Sequence, residues 1–534
     1  MIPESILKEK IVWFSLFFII ILAGFVRYGM LDVPLERDEG EYAYVAQLMF
    51  RGIPPYQEVS NMKLPGIYAA YALILVFFGQ TVQGIHLGLL IINSITIVMV
   101  FMLAKHLIGS VGAVASAASF ALLSVSHPVQ GVFANAEHFV ILFSTAGLFV
   151  MLKSFSGGKL RSYFVSGLLL GLGFVMKQHG AAFIVFALLY MVICFKRQHV
   201  TLGRGLMLRL TVFSSGWMTV LGFVGLILFF AGVFSSFWFW TVDYALTYIS
   251  QMPLEIAWRG FVTRFTAIVS SAPYLWILLA SGFIAVPFVK TITRQNKFFL
   301  FMYAGFSILS ICPGFYFRPH YFILLLPSAS LFAGVAISVL SDNFSGKIKY
   351  TVPIMLLLIC LFQSVYKQFD YMFKMTPFQV SRLTYWPNPF PESIKIAEFL
   401  ENNTNPDDYI TVLGSEPQIY FYSKRSSAGG YIYMYPLTEN HEFASWMQKD
   451  FLVEIEKKKP KYLIFVNVHG SWGWQRNSFQ KIIEWFDEKQ KGGSYRIVGL
   501  VEMFEDKSLY HWEPFDASKI EKAKFWIAVL ERTE

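Results

Sequence analysis

Residues 11–44 read IVWFSLFFIIILAGFVRYGMLDVPLERDEGEYAY. An apolar run long enough to cross about 30 Å of hydrocarbon as a helix passes almost directly into ERDEGEYAY at 36–44. Glu36, Asp38, Glu39 and Glu41 crowd into that short stretch beside Arg37. Ionisable groups are costly to hold near a bilayer, so such a cluster marks a site more often than a chance loop. The plainer alternative is a solvated loop that happens to be acidic.

The alternation that begins there continues along the chain. Hydrophobic residues make up 55%, charged residues 15%, and mean hydropathy is +0.51, values that exclude an ordinary soluble domain. Apolar segments recur near 11–31, 84–105, 110–128, 137–153, 162–176, 180–195, 206–232, 268–289, 298–313, 321–340 and 350–366, then stop. The expectation is a polytopic α-helical membrane module of about eleven spans over 1–366, followed by a soluble α/β domain over 367–534. The first run is long and has no small-residue cleavage pattern after it, so it reads as a retained span.

Charge fixes the expected orientation. Lys8, Lys10, Lys196, Arg197 and most other basic residues of the module fall on one side, as cytoplasmic loops require. Arg27, Arg37, Arg51, Lys63, Lys177, Arg259, Arg264 and Arg318 fall on the other, beside most of the module's carboxylates. Each of these either pairs with a carboxylate, snorkels or binds an anion. The module is net +11 and the tail net −2, so the basic pI says nothing about nucleic acid. An odd number of spans puts the tail outside the cytoplasm. Cys194, Cys312 and Cys360 all lie in expected spans, which excludes a disulfide scaffold for the tail.

Topology then gathers scattered polar residues on the outer face. The first outer loop, 32–83, holds the acidic cluster, the amphipathic piece EYAYVAQLMF, the turn-rich GIPPYQEVSNMKLPG at 52–66 and a short apolar helix to Phe78, too short to cross with ease. The second, 233–267, is aromatic, as suits the headgroup belt. Glu137 opens the fourth span, KQHG at 177–180 turns between the fifth and sixth, and YFRPHYF at 316–322 precedes the tenth. Asp38, Glu39, Glu58, Lys63, Glu137, His138, Lys177, His179, Arg318 and His320 therefore share one side, a pocket in prospect. Carboxylates beside cations at headgroup depth suit transfer from a lipid-linked phosphate, with cations on the leaving group and a carboxylate as base. The same charges suit a transporter or flippase for a lipid phosphate or anionic solute.

The ordered set of Asp38-Glu39, PPYQEVSNMKLPG, Glu137, GLGFVMKQHG at 171–180 and RPHYFILLLP at 318–327 resembles the GT-C superfamily of membrane glycosyltransferases. More narrowly, it is similar to the protein O-mannosyltransferase and aminoarabinose transferase clan, over roughly the first 340 residues. The resemblance implies an enzyme that moves a sugar from a polyprenyl phosphate to a protein, lipid or glycan acceptor on the extracytoplasmic side of the inner membrane, with inversion. An enzyme moving whole oligosaccharides differs only in donor size. The resemblance makes Asp38 the base, accompanied by Glu39, with Glu137 standing where the family often has Asp. Lys63, followed here by Leu64-Pro65 rather than two prolines, is assigned to the donor phosphate, with Lys177 and Arg318. Tyr42, Tyr56, Glu58, His138, His179, His320 and Tyr321 are candidates for substrate contact. Lys177 could instead cap the fifth helix. No cofactor is assigned, and a divalent metal held by the histidines is left open.

In the tail, YITVLGSE at 409–416 and KYLIFVNV at 461–468 read as buried strands, with helices at 392–402, 440–457 and 476–490. GGYIYMYP at 429–436 lacks a nucleotide fingerprint, so the tail is expected to cap the site or admit the acceptor.

Overall fold

A computed structural model describes residues 4–155, 157, 159–197, 204–250 and 252–533 of the chain. The side chains of Lys8, Lys196 and Arg197, counted above with the cytoplasmic charges, lie outside the described residues. Among the described residues, seven helices are long and apolar enough to cross a membrane on their own. One of them, Val82–Leu123, breaks at Gly109, whose φ of 84° and ψ of −179° are not helical. An L side chain rarely takes that conformation, and the break separates the second expected span from the third. Leu160–Met176 and Arg294–Ser310 occupy the fifth and ninth positions with 17 residues each, about 26 Å of helix. The chain is a multi-pass membrane protein.

The eighth expected span is not one straight helix. Leu254–Ser271 and Pro273–Phe288 meet at 103°. Pro273 has no amide proton to continue the ladder and disfavours helical backbone in the residue before it; Ala272 accordingly sits at φ −145°, ψ 53°. The aromatic outer loop is thus largely helical as well, with a π-helical stretch at Phe239–Tyr244.

The acidic cluster forms the start of a helix, Arg37–Phe50. Glu36 is its N-cap, with its side chain accepting from the Glu39 amide at 3.1 Å while the Glu39 carboxylate accepts from the Glu36 amide at 3.1 Å. This reciprocal box satisfies two otherwise orphaned donors, and the acidic first turn favours the helix dipole. The short apolar helix is Pro65–Phe78. Its Leu73, Val76 and Phe77 are exposed, as a surface facing lipid would be.

In the tail, β1 (Tyr409–Leu413), β2 (Ser426–Ser427), β3 (Tyr462–Asn467), β4 (Tyr495–Met503), β5 (Ser508–Trp512) and β6 (Phe525–Arg532) form one sheet in the order β2-β1-β3-β6-β4-β5. The first three pair in parallel and the rest antiparallel. Helices Phe390–Asn403, Ala444–Lys458 and Lys481–Lys491 accompany it.

This domain is seated on the helix Arg37–Phe50. Tyr44 stacks on Tyr420 at 5.2 Å, and its hydroxyl accepts from the Ser427 amide at 2.8 Å. Tyr422 accepts from the Leu35 amide at 2.9 Å, and the Ser60 amide donates to Gly430 O at 2.8 Å. Beyond the last span, Tyr371, Met372 and Val380 pack with Met30, Val33, Val125, Val132 and Phe133 of the membrane module. Contact between the two parts is therefore continuous.

Candidate active site

The beginning of the helix Arg37–Phe50, the extended segment before Pro65, the turn at 177–180, the segment 318–321 and the tail's 385–390 and 433–436 stretches enclose a cavity of about 510 Å³. Asp38 lines it. Its Oδ2 accepts from Lys63 Nζ at 2.8 Å and its Oδ1 from the Tyr433 hydroxyl at 3.2 Å. Burial alone would raise the Asp38 pKa, but Lys63, with His320 and Lys177 behind it, holds it well below the usual carboxylate range. Burial would likewise discharge Lys63, yet Asp38 and Glu41 push its pKa upward. The pair is fully ionic.

A second pair lies beside the first. Lys177 Nζ donates to Glu137 Oε1 at 2.5 Å and sits 4.3 Å from the centre of the Tyr321 ring. Burial lowers the Lys177 pKa, opposed by Glu137 and assisted by Lys63. His320 Nε2 is 4.0 Å from the same Glu137 oxygen, and its Nδ1 is 3.0 Å from Gln130 Oε1. Lys177 thus serves a carboxylate rather than a helix end. The His179 ring lies tilted against Tyr321, centres 4.7 Å apart, with both its nitrogens buried and unpartnered.

Two further cations face the cavity without a carboxylate. Arg318 Nη2 donates to the Tyr248 hydroxyl at 3.2 Å and Arg264 Nη1 to Tyr316 O at 3.3 Å. Among the described residues neither forms an ion pair. Arg37 also lines the cavity, but it is committed to the tail: it donates to Ser415 O at 2.5 Å, the Tyr435 hydroxyl at 2.5 Å, Asn388 Oδ1 at 2.9 Å and Glu416 Oε1 at 3.3 Å. The lining carries Arg37, Lys63, Lys177, Arg264 and Arg318 against Glu36 and Asp38. Such an excess of cations, three of them arginines, suits an anion with several acceptor oxygens.

Of the residues predicted from sequence, Asp38, Lys63, Lys177, His179, Arg318, His320 and Tyr321 line this cavity, and Glu137 stands behind it through Lys177. The others do not line it. Glu39 is fully buried on another face of its helix, accepting from the Ala134 amide at 2.6 Å and contacting His86 Nε2 at 3.0 Å. Tyr42 is buried, with its ring 5.5 Å from Lys63 Nζ, and Tyr56 donates to Lys63 O at 2.6 Å, so both brace Lys63. Glu58 is half-buried near the tail, and His138 is buried beside Asn93. Arg264 is a cavity cation that the sequence placed only on the right side. Arg37, Tyr433 and Tyr435 are not legible as site residues in the sequence, because only the docking of the tail brings Tyr433 to Asp38 and Tyr435 to Arg37. Among the described residues, no group of three His, Cys, Asp or Glu side chains could hold a metal ion; Asp38 and Glu137 are each taken by a lysine, so this donor set does not fit one.

Residues 63–218 match the family model described as dolichyl-phosphate-mannose-protein mannosyltransferase. No curated protein matches the chain in sequence. Among solved structures, ArnT from Cupriavidus metallidurans bound to undecaprenyl phosphate aligns with a TM-score of 0.55 at 15% identity, over 84% of this chain and 92% of that one. The archaeal oligosaccharyltransferase AglB from Archaeoglobus fulgidus, in complex with an inhibitory peptide and a dolichol-phosphate, aligns with a TM-score of 0.54 at 11% identity, over 95% of this chain and 75% of that one. An Archaeoglobus fulgidus oligosaccharyltransferase in complex with Zn and sulfate gives 0.55 at 11%, over 92% and 72%. The fold is that of the GT-C membrane glycosyltransferases, as the sequence motifs imply.

Proposed function

We infer that this chain, GT-C in fold, is a glycosyltransferase that moves a sugar from a polyprenyl-phosphate donor to an acceptor on the extracytoplasmic face of the inner membrane, with inversion. The observation that carries the reading is an ionised carboxylate, Asp38, inside a cavity whose other charges are mostly cations. The neighbours hold lipid phosphates of the same class, and the matched family segment begins at Lys63 and includes Lys177.

Asp38 takes the proton of the acceptor hydroxyl as that oxygen attacks the sugar carbon and the polyprenyl phosphate departs. Arg318, Lys63 and Lys177 hold the phosphate, joined by Arg264. Lys63 and Lys177 already neutralise carboxylates, so the cations free of an ion pair that attract the donor are Arg264 and Arg318, the latter only partly offset by Glu439. His179, His320 and Tyr321 stand where they can contact the sugar. Replacing Arg264 or Arg318 by Ala is expected to weaken donor binding about tenfold, one charge-assisted hydrogen bond's worth, with a smaller change in kcat; titration with polyprenyl phosphate checks this. Lys177→Met leaves Glu137 buried without its partner and is expected to destabilise the protein by about 3 kcal/mol, read as a lowered melting temperature in detergent.

The function is tested by incubating the purified protein with a panel of labelled polyprenyl-phosphate sugars and following release of polyprenyl phosphate, wild type beside Asp38→Asn. Release that depends on Asp38 identifies both the class and the sugar. No release from any donor, even with membrane extract as acceptor source, would overturn the reading in favour of a transporter or of an enzyme that transfers whole oligosaccharides.

A further inference from the structure

We propose that the C-terminal domain completes the catalytic centre through Tyr433, a positioning residue that fixes the Asp38 carboxylate from the side opposite Lys63. The proposal rests on Asp38 being the base. Tyr433 is buried and lines the cavity. Its hydroxyl lies 3.2 Å from Asp38 Oδ1 and 3.2 Å from Arg37 O, while Lys63 occupies Oδ2. The one hydroxyl proton faces these two acceptors and the neighbouring Glu41 carboxyl, and of the three the ionised Asp38 carboxylate is the strongest.

The segment that carries Tyr433 is itself held from both sides. The Ala428 amide donates to Ile410 O at 2.9 Å, Met434 to Ser415 Oγ at 2.9 Å and Gly430 to Glu454 Oε2 at 2.6 Å. Gly430 O in turn accepts from Ser60 of the first outer loop at 2.8 Å. On the other side of the interface, Arg37 ties the residue next to Asp38 to Ser415 and Tyr435. Tyr433 and Asp38 therefore sit on two stretches clamped to one another, which is what a fixed orientation requires.

The division of labour follows from charge. An incoming phosphate competes with Asp38 for the Lys63 charge, a pull that the neutral Tyr433 phenol feels far less. As Lys63 turns toward the donor, Tyr433 remains as the hydrogen bond that keeps Oδ1 in place, so its effect falls on the chemical step rather than on donor binding.

The test compares Tyr433→Phe, Tyr44→Phe and Asp38→Asn in the full-length protein, with steady-state kinetics on the active polyprenyl-phosphate sugar. Tyr44 makes a similar hydroxyl contact across the same interface, to the Ser427 amide, away from the cavity. The expected result is kcat about tenfold lower for Tyr433→Phe with the donor KM unchanged, while Tyr44→Phe keeps its kcat. Wild-type kcat in Tyr433→Phe beside an inactive Asp38→Asn would overturn the role of Tyr433 and leave the base in place. Equal losses in Tyr433→Phe and Tyr44→Phe would reduce the contact to domain docking and overturn the proposal. An active Asp38→Asn would remove the base, and this inference with it.

Discussion

Asp38→Asn is expected to lower turnover by about a thousandfold, within the range for loss of a general base, without weakening the donor. Asparagine has the same shape and still accepts from Tyr433, so the cavity keeps its outline. What it cannot do is take a proton. It also releases Lys63 from its 2.8 Å ion pair, and a lysine freed of its carboxylate adds attraction for phosphate. Donor affinity should therefore stay level or tighten while kcat collapses, a split that a misfolded variant would not give. Binding of labelled polyprenyl phosphate measured beside transfer checks both halves; transfer at wild-type rate would remove Asp38 from the chemistry.

The pH dependence carries the same assignment. The folded-state pKa of Asp38 is depressed, so whatever its ionisation contributes is present above the ordinary value of about 4 and is lost only as pH falls through the lower, folded one. Between about pH 5 and 8 Asp38 is ionised throughout. A loss of activity on acidification near neutrality would belong to another group. Glu41, one turn along the same helix, is pushed up to about 7 chiefly by burial and faces Lys63, Asp38, Tyr68 and Tyr433; Glu36, in the cavity lining, is likewise raised, by burial and by Asp38 and Glu39. A pH profile of Glu41→Gln locates that limb.

How much of this the sequence reveals depends on the kind of contact. Hydropathy reveals a multi-pass helical membrane part, because lipid demands satisfied backbones and apolar surfaces wherever the chain crosses, though only seven of the described helices are long and apolar enough to cross on their own. It runs the expected span straight through Pro273, where the 103° bend lies, and leaves the more polar Leu254–Ser271, with Glu255, Arg259 and Arg264, mostly in the outer loop. Topology brought Asp38, Lys63, Lys177 and Arg318 to one face, and the structure brings them to one cavity. It could not separate Asp38 from Glu39: adjacent residues on a helix point about 100° apart, and only packing decides that Asp38 meets the cavity while Glu39 meets His86. Tyr433 and Tyr435 were beyond reach for another reason. They lie almost four hundred residues away, in a segment whose aromatic pattern reads equally well as core. In the tail, strands β1 and β3 are legible as buried apolar runs, whereas β4 and β6 carry Arg496, Glu502, Glu531 and Arg532, and β5 is short and half-buried along its length, so these blend with the loops around them.

The second large effect is expected from a residue with no chemistry at all. Gly40 lies between Glu39 and Glu41, on the face of the helix that meets Gln418–Ser423 of the tail. A Cβ there would stand 2.6 Å from both the backbone nitrogen and the Cβ of Gln418, and 2.7 Å from its Cα. Backbone atoms of a packed helix cannot swing aside as a side-chain tip can, so the two elements must part by several tenths of an ångström or more. Overpacking of this kind costs about 1–3 kcal/mol, and here the strain falls on the interface that positions Arg37 and Tyr433 around Asp38. Gly40→Ala should thus lower transfer at least tenfold, and Gly40→Val more steeply, with the tail becoming more susceptible to limited proteolysis. Gly24→Ala supplies the comparison, since a Cβ at that position meets nothing within 4 Å and should leave both readouts unchanged. If Gly40→Val transfers sugar at the wild-type rate, the tail need not sit tightly on the Asp38 helix for catalysis; if activity and protection from proteolysis fall together, docking of the two parts is itself a condition of the reaction.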